Sequence, residues 1–236
     1  RGFSYAMRTD LIQRWYGLDN TLDRTRLEGK IRDAEMQIDY AIAKGLIPST
    51  AFNVLMILQG LETTQKANSV DAGVAHHYDA MLRRRLTDSG VVLKAMDGTY
   101  AYLAHLAWWM RLNSATTIDR SDLFIFNERF RSNVHNTDTT ALVELLVKAR
   151  ILSAADATFQ FRYPSARYFF LAHYIGENQE EEAEVKQVAL DACRRLYRKE
   201  NSNLVVFLAS KTSSRWIIRE VADVLKQLLA GIPAFN

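Results

Sequence analysis

The chain has 236 residues, a formal net charge of +3 and a single cysteine, Cys193. The length supports one large domain or two small ones with real cores, and a charge this small gives no reason to expect a nucleic-acid partner. A lone cysteine excludes an internal disulfide, which favours a reducing, cytoplasmic location, and no apolar run approaches the ~20 residues of a membrane span.

The scarcity of turn residues predicts a mainly helical protein. Only ten glycines and three prolines are present, whereas strands depend on frequent turns. Apolar spacing and capping residues predict a series of helices along the chain. These helices span 3–16, 21–44, 49–65, 72–88, 98–112, 120–134, 139–150, 164–176, 180–199, 203–210 and 214–230.

The order of elements in the middle of the chain predicts a winged helix. Three of these helices, ending with 139–150, precede IleLeuSer, a short AlaAlaAspAla turn and ThrPheGlnPheArgTyr, which alternate like a small hairpin. In the third helix Leu142, Leu145, Leu146 and Ala149 are expected to face inward. The predicted fold class is therefore mainly α, with a multi-helix domain and a winged-helix module that carries one small β-hairpin.

Motifs for catalysis and metal binding are missing from this sequence. The Gly–Lys pair at 29–30 lacks the upstream glycine and the Ser or Thr of a phosphate-binding loop, and it falls inside a predicted helix. The histidines have no partner at ligand spacing, so no metal site is predicted: His76, His77, His105, His135 and His173. The acidic run 180–184 is interpreted as a solvated helix start, and Cys193 as a small buried thiol.

The winged helix itself raises the possibility of DNA binding. In that mode the third helix reads base edges with basic or amide side chains, but here it carries Asp138 and Glu144. Basic residues appear only at its end and on the wing: Lys148, Arg150 and Arg162. The arginines at 83–85 lie on another helix and are expected to fan around its surface. The sequence therefore disfavours nucleic acid and favours a winged helix used as a packing module.

The aromatic segment 158–178 carries a family resemblance. PheGlnPheArgTyr followed by SerAlaArgTyrPhePheLeuAla resembles the winged-helix region of NACHT-type STAND NTPases, signalling ATPases that include animal inflammasome receptors and bacterial antiviral sensors. Their usual pattern is F-x-F-x-H and then a Q-E-Y-F-A-A-like helix, and the bacterial members are the most similar. The resemblance covers about 139–178 and is looser over 45–62, 99–112 and 201–220.

The resemblance implies a division into four parts. Residues 1–20 would be the tail of an upstream NTPase core or a linker helix, and 21–95 a helical domain. Residues 96–178 would be the winged-helix domain, and 179–236 a helical arm leading to a C-terminal sensor. The chain lacks the family's phosphate-binding loop and acidic magnesium motif, and it does not begin with methionine. We therefore expect it to be cut from a longer protein with its core upstream.

The resemblance also implies a site. In several family members a winged-helix histidine contacts the β-phosphate of bound ADP, and Tyr163 takes that position here. A phenol donates one hydrogen bond but carries no positive charge at neutral pH, so Arg162 would supply the charge if it points inward. The competing interpretation is that Tyr163 merely packs before Pro164. No catalytic residue is predicted.

The implied function is a regulatory region that couples ADP/ATP state and ligand sensing to oligomerisation, in antiviral defence. The segment alone is expected to bind no cofactor, whereas the parent protein would use ATP or ADP with magnesium. Its expected partners are its own NTPase core, further copies of itself on activation and an unidentified protein trigger. A DNA-binding regulator and a helical interaction scaffold are the alternatives.

Overall fold

The structure is a computed structural model that describes residues 3–19, 23–43, 49–65, 74–133, 138–211 and 216–229. The chain forms two compact units, Arg1–Met81 and Leu82–Asn236. In the described ranges, every helix is too short or too polar to cross a membrane. The mainly α fold class predicted from the sequence is confirmed.

Three helices of the first unit pack against one another. They are α1 (Tyr5–Gly17), α2 (Arg24–Ala43) and α3 (Ala51–Gln65). The buried side chains include Ile12, Tyr16, Ala34, Ile38 and Leu58. The Gly–Lys pair at 29–30 lies in the middle of α2, which confirms that it is not a phosphate-binding loop. The next helix, α4 (Val74–Ser89), continues from this unit into the second.

The second unit holds the remaining elements. A short 3-10 helix, Leu93–Ala95, leads into the first of them. They are α5 (Met96–Leu112), β1 (Ile118–Asp119), α6 (Arg120–Asn133), α7 (Thr139–Lys148), β2 (Leu152–Ala155), β3 (Thr158–Phe161), α8 (Pro164–Asn178), α9 (Ala183–Arg194), α10 (Lys199–Lys211) and α11 (Trp216–Leu229).

The winged-helix module is present, with one more strand than predicted. Helices α5, α6 and α7 precede the β2–β3 hairpin, and the three strands form an antiparallel sheet in the order β1-β3-β2. The additional strand forms because Ile118 and Asp119 pair with Phe159 and Thr158. Two residues are too few to show the alternation by which a strand is found in sequence, so the predicted two-stranded hairpin was incomplete.

Side-chain caps fix where α6 and α7 begin. The Asp119 carboxylate accepts a hydrogen bond from the backbone N–H of Asp122 at 2.8 Å, which lowers the pKa of Asp119. Asp138 accepts from the N–H groups of Thr140 and Ala141, each at 3.1 Å. Because an N-terminal carboxylate satisfies donors that have no partner within the helix, both helix starts were visible in the sequence.

The buried stripe of α7 differs at one position from the prediction. Leu142, Leu146 and Ala149 are buried as expected, but Leu145 is only half-buried and Val143 is buried instead. Helix α7 contacts β2, and Leu145 lines a groove together with Val92, Gly98 and Leu142.

Helix α8 forms the centre of the second unit, between α5 and α10. The Phe169 ring lies 6.4 Å from Tyr100 of α5 and 5.6 Å from Phe207 of α10, edge to face in both cases. Phe170 contacts Tyr100 at 5.3 Å and stacks on Phe161 of β3 at 6.1 Å. Both phenylalanines are fully buried, so these two rings of the aromatic segment belong to the core.

The predicted helix over 180–199 is too long at both ends, since α9 begins at Ala183. Helix α9 ends at Arg194, and α10 begins at Lys199 rather than at 203. Arg195 leaves the helical conformation (φ −122°, ψ 44°), and its carbonyl accepts hydrogen bonds from the Arg198 N–H and the Asn201 side chain. These contacts form a turn without glycine or proline, the residues that mark turns in a sequence.

Two smaller predictions about α9 are confirmed. Residues 180–184 are exposed at its start, as a solvated acidic run should be. Cys193 is fully buried, and burial raises the pKa of its thiol to about 11. A thiol that resists ionisation is a poor nucleophile, so Cys193 belongs to the packing of this unit.

Candidate functional site

The two residues predicted to sense nucleotide, Arg162 and Tyr163, connect β3 to α8, and we call them the wing hinge. The Arg162 N–H donates to the Ile151 carbonyl at 2.8 Å, and the Tyr163 carbonyl accepts from the Ala166 N–H at 3.0 Å. Tyr163 is the N-cap residue of α8, with Pro164 in the first helical turn where its missing N–H has no consequence. The backbone of the hinge is therefore held on both sides.

The side chains of the hinge point in different directions. Arg162 is exposed and Tyr163 is half-buried, which continues the alternation that follows the buried Phe161. The guanidinium carbon of Arg85, from α4, lies 6.0 Å from the centre of the Tyr163 ring. Within this unit, Arg85 rather than Arg162 thus places a positive charge over the phenol ring.

The neighbouring Arg83 makes the same kind of contact. Its guanidinium carbon lies 4.5 Å from the centre of the Tyr100 ring, and Tyr100 also contacts His173 at 5.7 Å. The middle residue of the run, Arg84, is also exposed and lies 3.8 Å from Asp88. Arg83 and Arg84 are exposed and Arg85 is half-buried, and each has a different neighbour. The prediction that the arginines at 83–85 fan around the helix surface is therefore confirmed.

The sequence did contain a signal for these contacts. Leu82 and Leu86 are one helical turn apart on α4 and are both buried, so they mark the covered face of the helix. Arg83 and Arg85 flank that line, and Arg84 lies away from it. An arginine beside a buried stripe can lay its apolar stem along the core while its head reaches an aromatic ring.

This arrangement suits anion binding. Guanidinium groups form strong charge-assisted hydrogen bonds to phosphate, and a phenol adds one neutral donor. Arg85 lies over the Tyr163 ring, and Arg162 is adjacent in the chain and exposed. Near the point where the wing joins the central helix, Arg85 thus lies against the Tyr163 ring and Arg162 lies on the exposed side.

The outer face of the winged helix is a groove between α6, α7 and the hairpin, which we call the outer groove. Its volume is about 570 Å³. Most of its walls are apolar, and they include Leu123, Phe124, Val143, Val147 and Phe159. Its two charged residues are Arg120 and Glu144, one of each sign. The face that would meet the major groove in a DNA-binding winged helix is therefore largely apolar and close to neutral.

Two of the five histidines have well-defined surroundings. His105 lies edge to face with Phe130 at 5.5 Å and Tyr174 at 5.0 Å, and burial lowers its pKa. His173 lies 3.3 Å from Glu177. His135 and the side chains of His76 and His77 lie outside the described residues. No three His, Cys, Asp or Glu side chains of the described part come together as metal ligands.

Comparison with protein-family models and with curated proteins gives no match. The hinge and the outer groove are therefore interpreted from their own geometry.

Proposed function

We propose that this chain is the regulatory helical and winged-helix region of a NACHT-like STAND signalling NTPase. Its role would be to couple ADP/ATP state and ligand sensing to oligomerisation, in cytoplasmic antiviral defence. The observation that carries the proposal is the chemistry of the outer groove. A winged helix whose outer face is apolar and nearly neutral suits packing against protein.

The DNA-binding alternative finds little support in the same groove. DNA affinity comes mainly from lysines and arginines that neutralise phosphates. The exposed side of α7 carries Glu144 and ends in one basic residue, Lys148. Phe124, in contrast, is 63% exposed on α6, and large exposed aromatic side chains are typical of protein interfaces.

In this proposal the wing hinge senses the nucleotide. ADP, held with magnesium in an NTPase core elsewhere in the protein, would place its phosphates near Arg162, Tyr163 and Arg85. Arg85 extends the pair suggested by the sequence, since its guanidinium lies over the Tyr163 ring. The core, further copies of the protein and a protein trigger would be the partners.

A switch of this kind requires contacts that differ between its two states. ADP at the hinge would stabilise the closed packing of the winged helix on the core, and exchange for ATP would remove that preference. Differential binding worth a few kcal/mol is enough to move such an equilibrium. The outer groove would be covered in one state and available for assembly in the other.

The first test is the coding sequence upstream of Arg1. A phosphate-binding loop followed by an acidic strand within about 200 residues, the size of one domain, is the expected finding. An open reading frame that starts at Arg1 would contradict the proposal.

The second test is ADP retention by the full-length protein. Tyr163→Phe, Arg162→Ala and Arg85→Ala are each expected to accelerate ADP release, and Arg129→Ala, an exposed arginine on α6, should leave it unchanged. Unchanged retention in all three hinge variants would refute the sensing role. Saturable binding of duplex DNA with a steep salt dependence would instead establish the DNA-binding alternative.

A further inference from the structure

A second cavity lies inside the Leu82–Asn236 unit, where the end of α5, one face of α8 and the first turn of α10 meet. We call it the three-helix pocket, and its volume is about 210 Å³. It shares no lining residue with the outer groove and does not include the hinge. Met110, Leu171 and Leu204 give it an apolar wall. It is therefore a separate candidate binding site.

Two arginines line this pocket, Arg111 from α5 and Arg167 from α8. One guanidinium nitrogen of Arg167 donates to the Ala115 carbonyl at 3.0 Å, and its guanidinium carbon lies 5.3 Å from the Tyr168 ring centre. Over the described residues, neither arginine forms an ion pair. Because a guanidinium has five N–H donors, most of the donors of both groups are left for a ligand.

The rest of the polar wall comes from the ends of two helices. Ser114 takes a left-handed conformation (φ 52°) after α5, and the Ala115 N–H donates to the Met110 carbonyl at 2.8 Å, a common way to end a helix. This turn contributes the hydroxyl residues Ser114 and Thr116 to the pocket. On the other side the first turn of α10 contributes Asn201, whose amide donates to the Arg195 carbonyl at 3.1 Å. A helix N-terminus adds partial positive charge.

We propose that the three-helix pocket binds a small phosphomonoester. A phosphate dianion matches two guanidinium groups in charge, and its three terminal oxygens accept the many N–H and O–H donors of the wall. A carboxylate, with one charge and two oxygens, would leave one arginine without a counter-charge. The apolar wall is suited to the organic body of such a ligand.

The surrounding charges modulate this binding. Exposed basic residues precede the pocket residue Glu200 in the sequence, in the turn before α10 and at its first position: Arg195, Arg198 and Lys199. Glu200 is the one carboxylate of the pocket wall, and it opposes an anionic ligand. A bound phosphomonoester would bridge α5, α8 and α10. It would thereby stabilise the packing of α10 on the winged helix. The site does not depend on the proposed nucleotide switch.

The test is a calorimetric titration of the 236-residue chain with three probes. Phenyl phosphate carries a dianionic phosphate on an apolar ring, phenyl sulfate has the same shape with one charge, and inorganic phosphate has no organic body. Phenyl phosphate is expected to bind tightest. Phenyl sulfate should bind roughly tenfold more weakly, since the loss of one charge-assisted interaction corresponds to about that factor.

Substitutions of pocket residues show where phenyl phosphate binds. Arg111→Gln replaces an exposed side chain, so the chain should stay folded. The substitution is expected to lower the affinity for phenyl phosphate about tenfold. Arg167→Lys keeps the charge but loses the planar fork, so it should also weaken binding, and Glu200→Gln should strengthen it. Arg129→Gln is the control outside both sites, Arg162→Gln tests the wing hinge as the alternative binding site, and circular dichroism checks that each variant is folded.

Two outcomes would overturn the site. The first is a lack of saturation with phenyl phosphate at about 10 mM, which means that the binding free energy is weaker than about −3 kcal/mol. The second is binding that survives Arg111→Gln and is lost in Arg162→Gln. That result would place the phosphate at the wing hinge, which would count against the three-helix pocket while supporting nucleotide sensing.

Discussion

Two phenylalanines of the second unit show that the same side chain can be part of the core or of an exposed surface. Phe169 on α8 is 0% exposed and has aromatic neighbours on two helices, whereas Phe124 on α6 is 63% exposed and lines the outer groove. The rings in the core meet edge to face, a favourable arrangement for aromatic pairs. Phe124 has no such contact among the described residues. The core aromatic side chains hold the unit together, and those of the groove are available to a partner.

The largest expected effect tests the core side of this contrast. Phe169→Ala should lower the free energy of unfolding by ~3–5 kcal/mol, because it opens a cavity between α5 and α10. Phe170→Ala should do the same, since that ring is also fully buried. Chemical denaturation measures both losses. A loss below about 1 kcal/mol in both variants would contradict the central role of α8.

A hydrogen bond between the core and the outer groove gives a second test of how the two regions differ. The buried Tyr102 hydroxyl donates to the Asn127 side-chain oxygen at 2.8 Å, and Asn127 also lines the outer groove. Tyr102→Phe leaves the Asn127 oxygen without this partner and should cost ~1–3 kcal/mol. The double variant Tyr102→Phe/Asn127→Leu should regain most of that loss in the same denaturation experiment. If the double variant does not regain this stability, the Tyr102 hydroxyl stabilises the fold by packing rather than by the hydrogen bond.

A smaller effect, dependent on pH, is expected at the rim of the core. Burial between Phe130 and Tyr174 lowers the pKa of His105, so below pH ~6.5 the unfolded chain binds a proton more readily than the folded chain. The free energy of unfolding should therefore fall as the pH decreases from about 7 toward the folded-state pKa of His105. Urea titrations at several pH values measure this slope. His105→Gln should reduce it, and His173→Gln serves as the matched control; an equal slope in His105→Gln would exclude His105 as the cause.

The smallest expected effect tests the groove side. Phe124→Ala should change the free energy of unfolding by no more than about 0.5 kcal/mol, because the ring is mostly exposed. The matched control is Phe126→Ala, two residues along the same helix, whose buried ring contacts Tyr102 at 5.4 Å; it should cost ~3–5 kcal/mol. Similar losses in the two variants would mean that α6 does not separate a core face from a groove face.

Much of this fold follows from local signals in the sequence. The capping aspartates Asp119 and Asp138 marked the starts of α6 and α7, and Pro164 marked the start of α8. Elements that depend on distant contacts were missed. Strand β1 exists because it pairs with β3, some 40 positions later, and the break after Arg194 is formed by hydrogen bonds to the Arg195 carbonyl.

The candidate site was predictable only in part. The resemblance pointed to Arg162 and Tyr163, and the structure places both at the junction of wing and helix. The resemblance gave no indication of Arg85, which comes from a helix almost 80 residues earlier and reaches the Tyr163 ring through tertiary packing. The three-helix pocket was missed for the same reason, since Arg111 and Arg167 belong to different helices. The buried Leu82 and Leu86 indicate the covered side of α4, but the partner that a side chain meets on a distant element leaves no pattern in one sequence.

The position of α10 against α8 affects how this protein can be divided for experiments. Phe207 and the fully buried Leu208 come from α10, and the Phe207 ring lies edge to face with Phe169 at 5.6 Å. A fragment that stops at Asn178 would retain every winged-helix element and yet expose this aromatic surface to water. Such a fragment is expected to be insoluble or to self-associate, whereas one that continues through Lys211 keeps the surface covered.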